Sequence, residues 1–287
     1  MTTRRTALLV SVAALLAGRT AAAQSPPAPL TREQIQAILA SPDRSAADRT
    51  NDKRRKPEEL LLFIAPRPGL VALDLSAAGG YTTELLARAL GPAGKVYGQS
   101  RPRDPSRPPT PPAAPEGNSH PTAAAPAAPP PPAAAPRPSP EALAGRETAL
   151  RAAGIPAAPI VAVVRPFEDP VPAEAPPLDL VTLMFNYHDL GHLGIDRAAM
   201  NRAVFKALKP GGVYVIADHS GRPGTGISEA GTLHRIEEAF LRQEVEAAGF
   251  KLAASGDFLR NPGDPRDKNT PDPPQPKDEF VLKFVKP

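Results

Sequence analysis

The sequence predicts an α/β protein built as a doubly wound, Rossmann-like sheet, mostly parallel, with an antiparallel C-terminal edge hairpin. Three observations carry that reading. Short apolar runs alternate with segments of helical spacing along most of the chain. Residues 71–82 join one apolar run to an acid, Asp74, then to small residues and a helix start, which reads as strand, tight turn and helix. Two further strand-like runs, at 251–255 and 279–285, have no long helical pattern between them and are expected to pair as a hairpin.

Residues 1–23 stand apart from that pattern. Arg4 and Arg5 precede an apolar run at 7–18 and a small-residue stretch, Ala21-Ala22-Ala23, the order of an export signal. The apolar run is too short to cross a bilayer. Arg4-Arg5-Thr6 also has the form of a twin-arginine signal, so the expected location is periplasmic or secreted, by a Sec or twin-arginine route, with no stable membrane insertion once the signal is removed. Residues 1–23 hold Arg4, Arg5 and Arg19 and no acid; without them Lys plus Arg falls from 34 to 31 against 30 acids, a net charge of +1. Nucleic-acid binding needs a basic excess to neutralise phosphates, and that balance argues against it. The chain has no cysteine, which excludes disulfides and thiolate metal sites.

Residues 24–56 read as a helical extension. Thr31 starts an amphipathic stretch with Ile35, Ile38 and Leu39 at helical spacing, and the charge-alternating block at 43–57 reads as a solvated helical face with intrahelical ion pairs. The main domain, 57–287, opens with a short helix carrying Leu60, Leu61, Leu62 and Phe63. A strand at 70–75, a helix at 80–90 stopped by Gly91, and a strand at 95–97 then make a βαβ unit. Residues 101–140 hold 16 prolines in 40 positions and few large apolar side chains, so they are expected to be a disordered, partly polyproline II insertion, open to a protein partner. A helix to about residue 153, a strand at 159–164 and an apolar strand at 178–185, started by Leu178-Asp179, follow. Next come a helix through Met200, Val204 and Leu208, a strand at 213–217, and a helix through Leu233, Ile236, Leu241 and Val245.

With Asp74 ending the first strand, Leu178-Asp179-Leu180-Val181 opening the fourth and Leu208-Lys209-Pro210-Gly211-Gly212 before the fifth, the chain from 56 to 287, insertion apart, resembles the class I S-adenosylmethionine-dependent methyltransferases. More narrowly, the stretch from Asp48-Arg49 to Lys56-Pro57, Asn186-Tyr187-His188-Asp189-Leu190, Asp218-His219-Ser220 and Phe280-Val281-Leu282-Lys283-Phe284 resemble predicted bacterial methyltransferases with export signals. The resemblance implies S-adenosylmethionine as cofactor and methyl transfer to a small-molecule acceptor. It places Asp74 at the acid of the first motif, with Ser76, Ala78 and Gly80 at its three glycine positions and Tyr81 beside them. Where the family carries a ribose-binding acid after the second strand, this chain has Gly98-Gln99-Ser100, with Gln99 able to accept a weaker hydrogen bond. Glu168 and Asp169 fall where the family contacts adenine.

Asn186, His188 and Asp189, at the carboxyl end of the fourth strand, are the candidates for chemistry, since ligands of open α/β sheets bind at those ends. Methyl transfer asks for a positioned acceptor and, for an O–H or N–H acceptor, a base: Asn186 would orient the acceptor, His188 or Asp189 would take the proton, and Tyr187 would wall the pocket. His188, His192, His219 and His234, with Asp189 and Asp218, also have the residue types of a divalent metal site. Gly191 and Gly194 argue against one helix carrying both His188 and His192, so no metal ligand is assigned from spacing. Arg235, Glu237 and Glu238 read as a solvated helix face, and 261–267 as a surface loop. The alternative function is an exported, non-catalytic binding protein that uses the same crevice for a metal or a partner.

Overall fold

The computed structural model describes residues 27–103, 138–271, 273 and 275–287; the expected export signal at 1–23 and most of the expected insertion at 101–140 lie outside the described residues. Three helices, α1 (Arg32–Ala40), α2 (Ala46–Arg55) and α3 (Pro57–Ile64), lead into β1 (Val71–Leu75), α4 (Tyr81–Leu90) and β2 (Lys95–Ser100). Then follow α5 (Ser139–Ala152), β3 (Ile160–Val164), β4 (Leu178–Met184), α6 (Tyr187–His192), α7 (Arg197–Ala207) and β5 (Leu208–His219). The remaining elements are α8 (Ala230–Leu233), α9 (Glu238–Ala247), β6 (Lys251–Gly256) and β7 (Glu279–Val285).

The seven strands form one sheet in the order β3-β2-β1-β4-β5-β7-β6. Strands β3, β2, β1, β4 and β5 pair in parallel, and β7 runs antiparallel to both β5 and β6. The antiparallel C-terminal pair is as expected, with one refinement: β7 lies inside, between β5 and β6, and β6 is the edge. From β1 the chain builds first toward β3 and then, from β4, toward the other side. The strand order therefore switches between β1 and β4, where a crevice opens at their carboxyl ends.

Alternation along the strands divides the core. Leu73, Leu75, Val181, Leu183, Tyr214 and Ile216 face Met200 and Val204 of α7 and Leu241 and Val245 of α9. Ala72, Val96, Leu180 and Val215 face the other way, against Leu86 and Leu90 of α4 and Leu143 and Leu150 of α5. Burial on both faces is why β4 reads as a mainly apolar run.

Four local expectations are corrected. The charges at 43–57 are not an outward face but bind distant elements: Asp43 pairs with Arg88 at 2.5 Å, Asp48 with Arg146 at 2.8 Å, and Arg54 with Glu279 of β7. The helix expected through 233–248 is two, α8 and α9, broken where His234 turns left-handed (φ +52°) and Ile236 forms a bridge with Ser220. Arg235, between them, is fully buried, pairs with Asp264 at 2.8 Å and donates to the Ser220 carbonyl. That pair also ties the loop at 261–267, a surface loop as expected, to the fold through its one buried residue, Asp264. Finally, α6 carries both His188 and His192 despite Gly191. A Cβ at Gly191 would lie 2.6 Å from Ile227 Cδ1, so the glycine serves close packing and does not end the helix.

Candidate active site

The turn after β1 keeps a glycine-type backbone without the glycines. Ser76, Ala78 and Gly80 alternate at φ +56°, +46° and +80°, left-handed values that cost Ser and Ala roughly 1–2 kcal/mol each. Strain of this kind persists only where the surroundings over-determine it. Gly80 is the N-cap of α4 and has no side chain to cap it, so the first N–H groups of the helix have no capping side chain. Below the turn, buried Asp74 accepts from Thr83 Oγ1 at 2.6 Å and Thr182 Oγ1 at 2.8 Å, tying β1 to α4 and β4. Burial raises its carboxyl to about 6, against the opposing pull of those hydroxyls and of Arg55.

Other cofactor-side candidates are engaged elsewhere. Gln99 is fully buried: its amide oxygen accepts from Ser76 N at 3.0 Å and its amide nitrogen donates to the Arg165 carbonyl at 2.7 Å. It braces the turn from beneath, and β2 runs on to the half-buried Ser100. Glu168 accepts from Asp196 N at 3.2 Å, at the start of α7, while Asp169 is exposed and pairs with Arg165. Of the two acids after β3, Glu168 thus reaches the start of α7 and Asp169 serves a local pair. The glycines near the turn also admit the chain itself, since Cβ atoms at Gly80 and Gly98 would fall 2.7 and 2.5 Å from the methyls of Leu143 in α5.

α2 covers the crevice from the N-terminal side. Tyr81 donates its hydroxyl to Asp52 at 2.7 Å, and the Arg55 guanidinium lies 5.3 Å from the Tyr81 ring and 4.8 Å from that of Phe185. Arg54 sits 4.5 Å over the same Phe185 ring. Phe185, just past β4, is itself strained at φ +58°. Nothing in the charge run that holds Arg54 and Arg55, or in the apolar run that ends at Phe185, shows that the two meet.

The chemistry candidates do converge, at the carboxyl ends of β4 and β5. Asn186 precedes α6 and donates its amide to Asp189 Oδ2 at 3.0 Å. Buried His188 lies between two carboxylates, with Nδ1 2.6 Å from Asp218 Oδ1 and Nε2 3.2 Å from Asp189 Oδ1. His234 Nδ1 stands 3.0 Å from the same Asp189 oxygen, and His192 Nδ1 stands 3.8 Å from it. Burial works against charge on His188, yet Asp218 and Asp189 outweigh it and raise its pKa to about 10. Burial likewise opposes ionisation of Asp189, but His188 and His234 hold its carboxyl down at about 2. His219, its ring tilted against that of His188 at 5.3 Å, is pushed well below its usual value by burial and by Lys277. Tyr187 is not a pocket wall: it is fully buried in the core, its hydroxyl between Glu244 and Asn201. A cavity of about 390 Å³ opens beside His219 and Glu279, walled by Lys53, Lys56, Arg260 and Lys277.

No family model matches the sequence, and no curated protein matches it. Solved structures match the fold. A SAM dependent methyltransferase from Aquifex aeolicus aligns with a TM-score of 0.50, covering 90% of this chain and 100% of its own at 13% identity. An arsenic (III) S-adenosylmethionine methyltransferase from Chlamydomonas reinhardtii reaches 0.51, covering 91% of this chain and 74% of its own at 14% identity. At such identities the likeness establishes the architecture, a Rossmann-like methyltransferase sheet.

Proposed function

We propose that this chain is an S-adenosylmethionine-dependent methyltransferase acting on a small acceptor, exported as its first 23 residues suggest. One observation carries the reading: the turn after β1 holds the alternating left-handed backbone at 76, 78 and 80 even where Ser and Ala must be strained into it. A turn that served only to link strand and helix would not need that conformation three times. The residues fit the cofactor at this turn, because Ala78 and Gly79 are exposed and a Cβ at Gly79 would meet nothing within 4 Å. They depart from the family pattern at β2, where Gln99 is spent on bracing.

S-adenosylmethionine, when bound, supplies a methyl group on a sulfonium for in-line displacement. The turn at 76–80 would hold it through backbone N–H groups, with Asp74 and Gln99 keeping the turn in place from beneath. Asn186 turns its amide nitrogen to Asp189, which leaves its amide oxygen to orient an acceptor O–H or N–H. Asp189, where the imidazoles of His188 and His234 converge, would receive that group, and the acceptor would enter by the cavity beside His219. Calorimetry of the chain with S-adenosylmethionine and S-adenosylhomocysteine tests the reading. Saturable binding of both supports it; no heat at millimolar ligand overturns it and leaves a non-catalytic binding protein.

A further inference from the structure

We propose that His188, Asp189 and His234 form a site for one divalent first-row transition-metal ion. The proposal rests on the placement of these side chains and holds whether or not the β1 turn binds a nucleotide-like cofactor. A nitrogen of each imidazole and a carboxylate oxygen of Asp189 all lie within 4.8 Å of one another. His188 Nε2 and His234 Nδ1 stand 3.2 and 3.0 Å from Asp189 Oδ1. Ligands at 2.0–2.2 Å from one ion in tetrahedral geometry are about 3.3–3.6 Å apart, so the three donors must open by a few tenths of an ångström to share it.

Two further features point the same way. Asp218, fully buried, holds Nδ1 of His188 at 2.6 Å and also accepts the His188 backbone N–H at 2.8 Å. A carboxylate on the far ring nitrogen is the usual outer partner of a metal-bound histidine, since it fixes the ring with Nε2 toward the ion. His234 is held at φ +52°, a strained conformation for a non-glycine residue, and its ring meets Asp189. His192, one turn after His188 on α6, brings Nδ1 to 3.8 Å from Asp189 Oδ1 but stands outside the three-residue cluster.

The donor set selects the ion. Two imidazoles and one carboxylate suit zinc, iron(II), cobalt or manganese, whereas magnesium and calcium call for oxygen donors. The side chains of Asp189 and His234 retain 26% and 41% exposure, so the remaining coordination positions face outward and can take water or a donor atom of the acceptor.

The test uses the full-length, tag-free chain, stripped with chelator and titrated with Co²⁺ by calorimetry and visible absorption. One equivalent should bind, develop the ligand-field bands of nitrogen and oxygen coordination, and be displaced by Zn²⁺. His234→Gln, at a half-exposed position outside the core, should weaken binding by about tenfold or more, and Asp218→Asn by about 10–100-fold. His120→Gln, outside the described residues, should leave it unchanged. A wild-type chain that takes up neither ion at millimolar concentration, or an affinity that His234→Gln leaves intact, overturns the assignment.

Discussion

Replacing Ala78 with glycine should make this protein more stable, although the change removes atoms and adds no contact. Ala78 holds φ at +46° with its side chain exposed. The left-handed conformation costs an L residue about 1–2 kcal/mol, a cost glycine escapes. Glycine brings its own penalty of about 0.5–1 kcal/mol through the greater freedom of the unfolded chain. Loss of an exposed methyl sacrifices no core packing, so Ala78→Gly should stabilise by about 0.5–1 kcal/mol, or about 1–4 °C in Tm for a domain of this size. Gly80→Ala is the opposing control. Its φ is +80° and its new Cβ would fall 2.7 Å from Leu143 and 2.8 Å from Arg146, so it should lose at least about 2 kcal/mol. Urea unfolding followed by circular dichroism, compared at constant m value, reads both. If Ala78→Gly leaves the midpoint unchanged or lowers it, the turn is not left-handed at 78 and the argument for a glycine-type turn built from Ser and Ala fails.

Asp74 gives a pH prediction. Its carboxyl is raised from 3.8 to about 6, so its protonation stabilises the fold fully below pH 3.8, and that contribution is lost as pH rises through 6. Wild type should therefore lose about 2 kcal/mol relative to Asp74→Asn between pH 4 and 8, measured as the difference of their unfolding free energies; parallel pH profiles would contradict a buried, raised carboxyl. At the loop anchor, Arg235→Met strands the buried Asp264 carboxylate and should cost about 3–5 kcal/mol. A change under 1 kcal/mol in thermal unfolding would mean that Arg235 is solvated, as its neighbours in sequence suggest.

The sequence was most informative where physics is local. Apolar runs located β1, β4 and β5, and the acid followed by small residues marked the turn at 76–80, because strand and turn preferences are set by neighbours along the chain. The same local reasoning failed for residues whose partners are far away in sequence. The basic end of α2 reads as solvated, yet Arg54 reaches Glu279 and both Arg54 and Arg55 lie over Phe185. Gln99 reads as a ligand contact, and it is consumed by Ser76 and Arg165. Gly191 reads as a helix breaker, and it makes room for Ile227.

By itself, then, the sequence determined the layers, the mostly parallel sheet and the place where its crevice opens, since burial on two faces imprints an apolar run on the central strands. Only the tertiary structure decided which polar side chains meet. Asp189 gathers His188 on its own helix and His234 from 45 residues further on, with Asp218 from the end of β5 behind them. Such convergence is created by the adjacent carboxyl ends of the parallel strands β4 and β5 and by one strained residue, and it leaves no periodic trace in the chain.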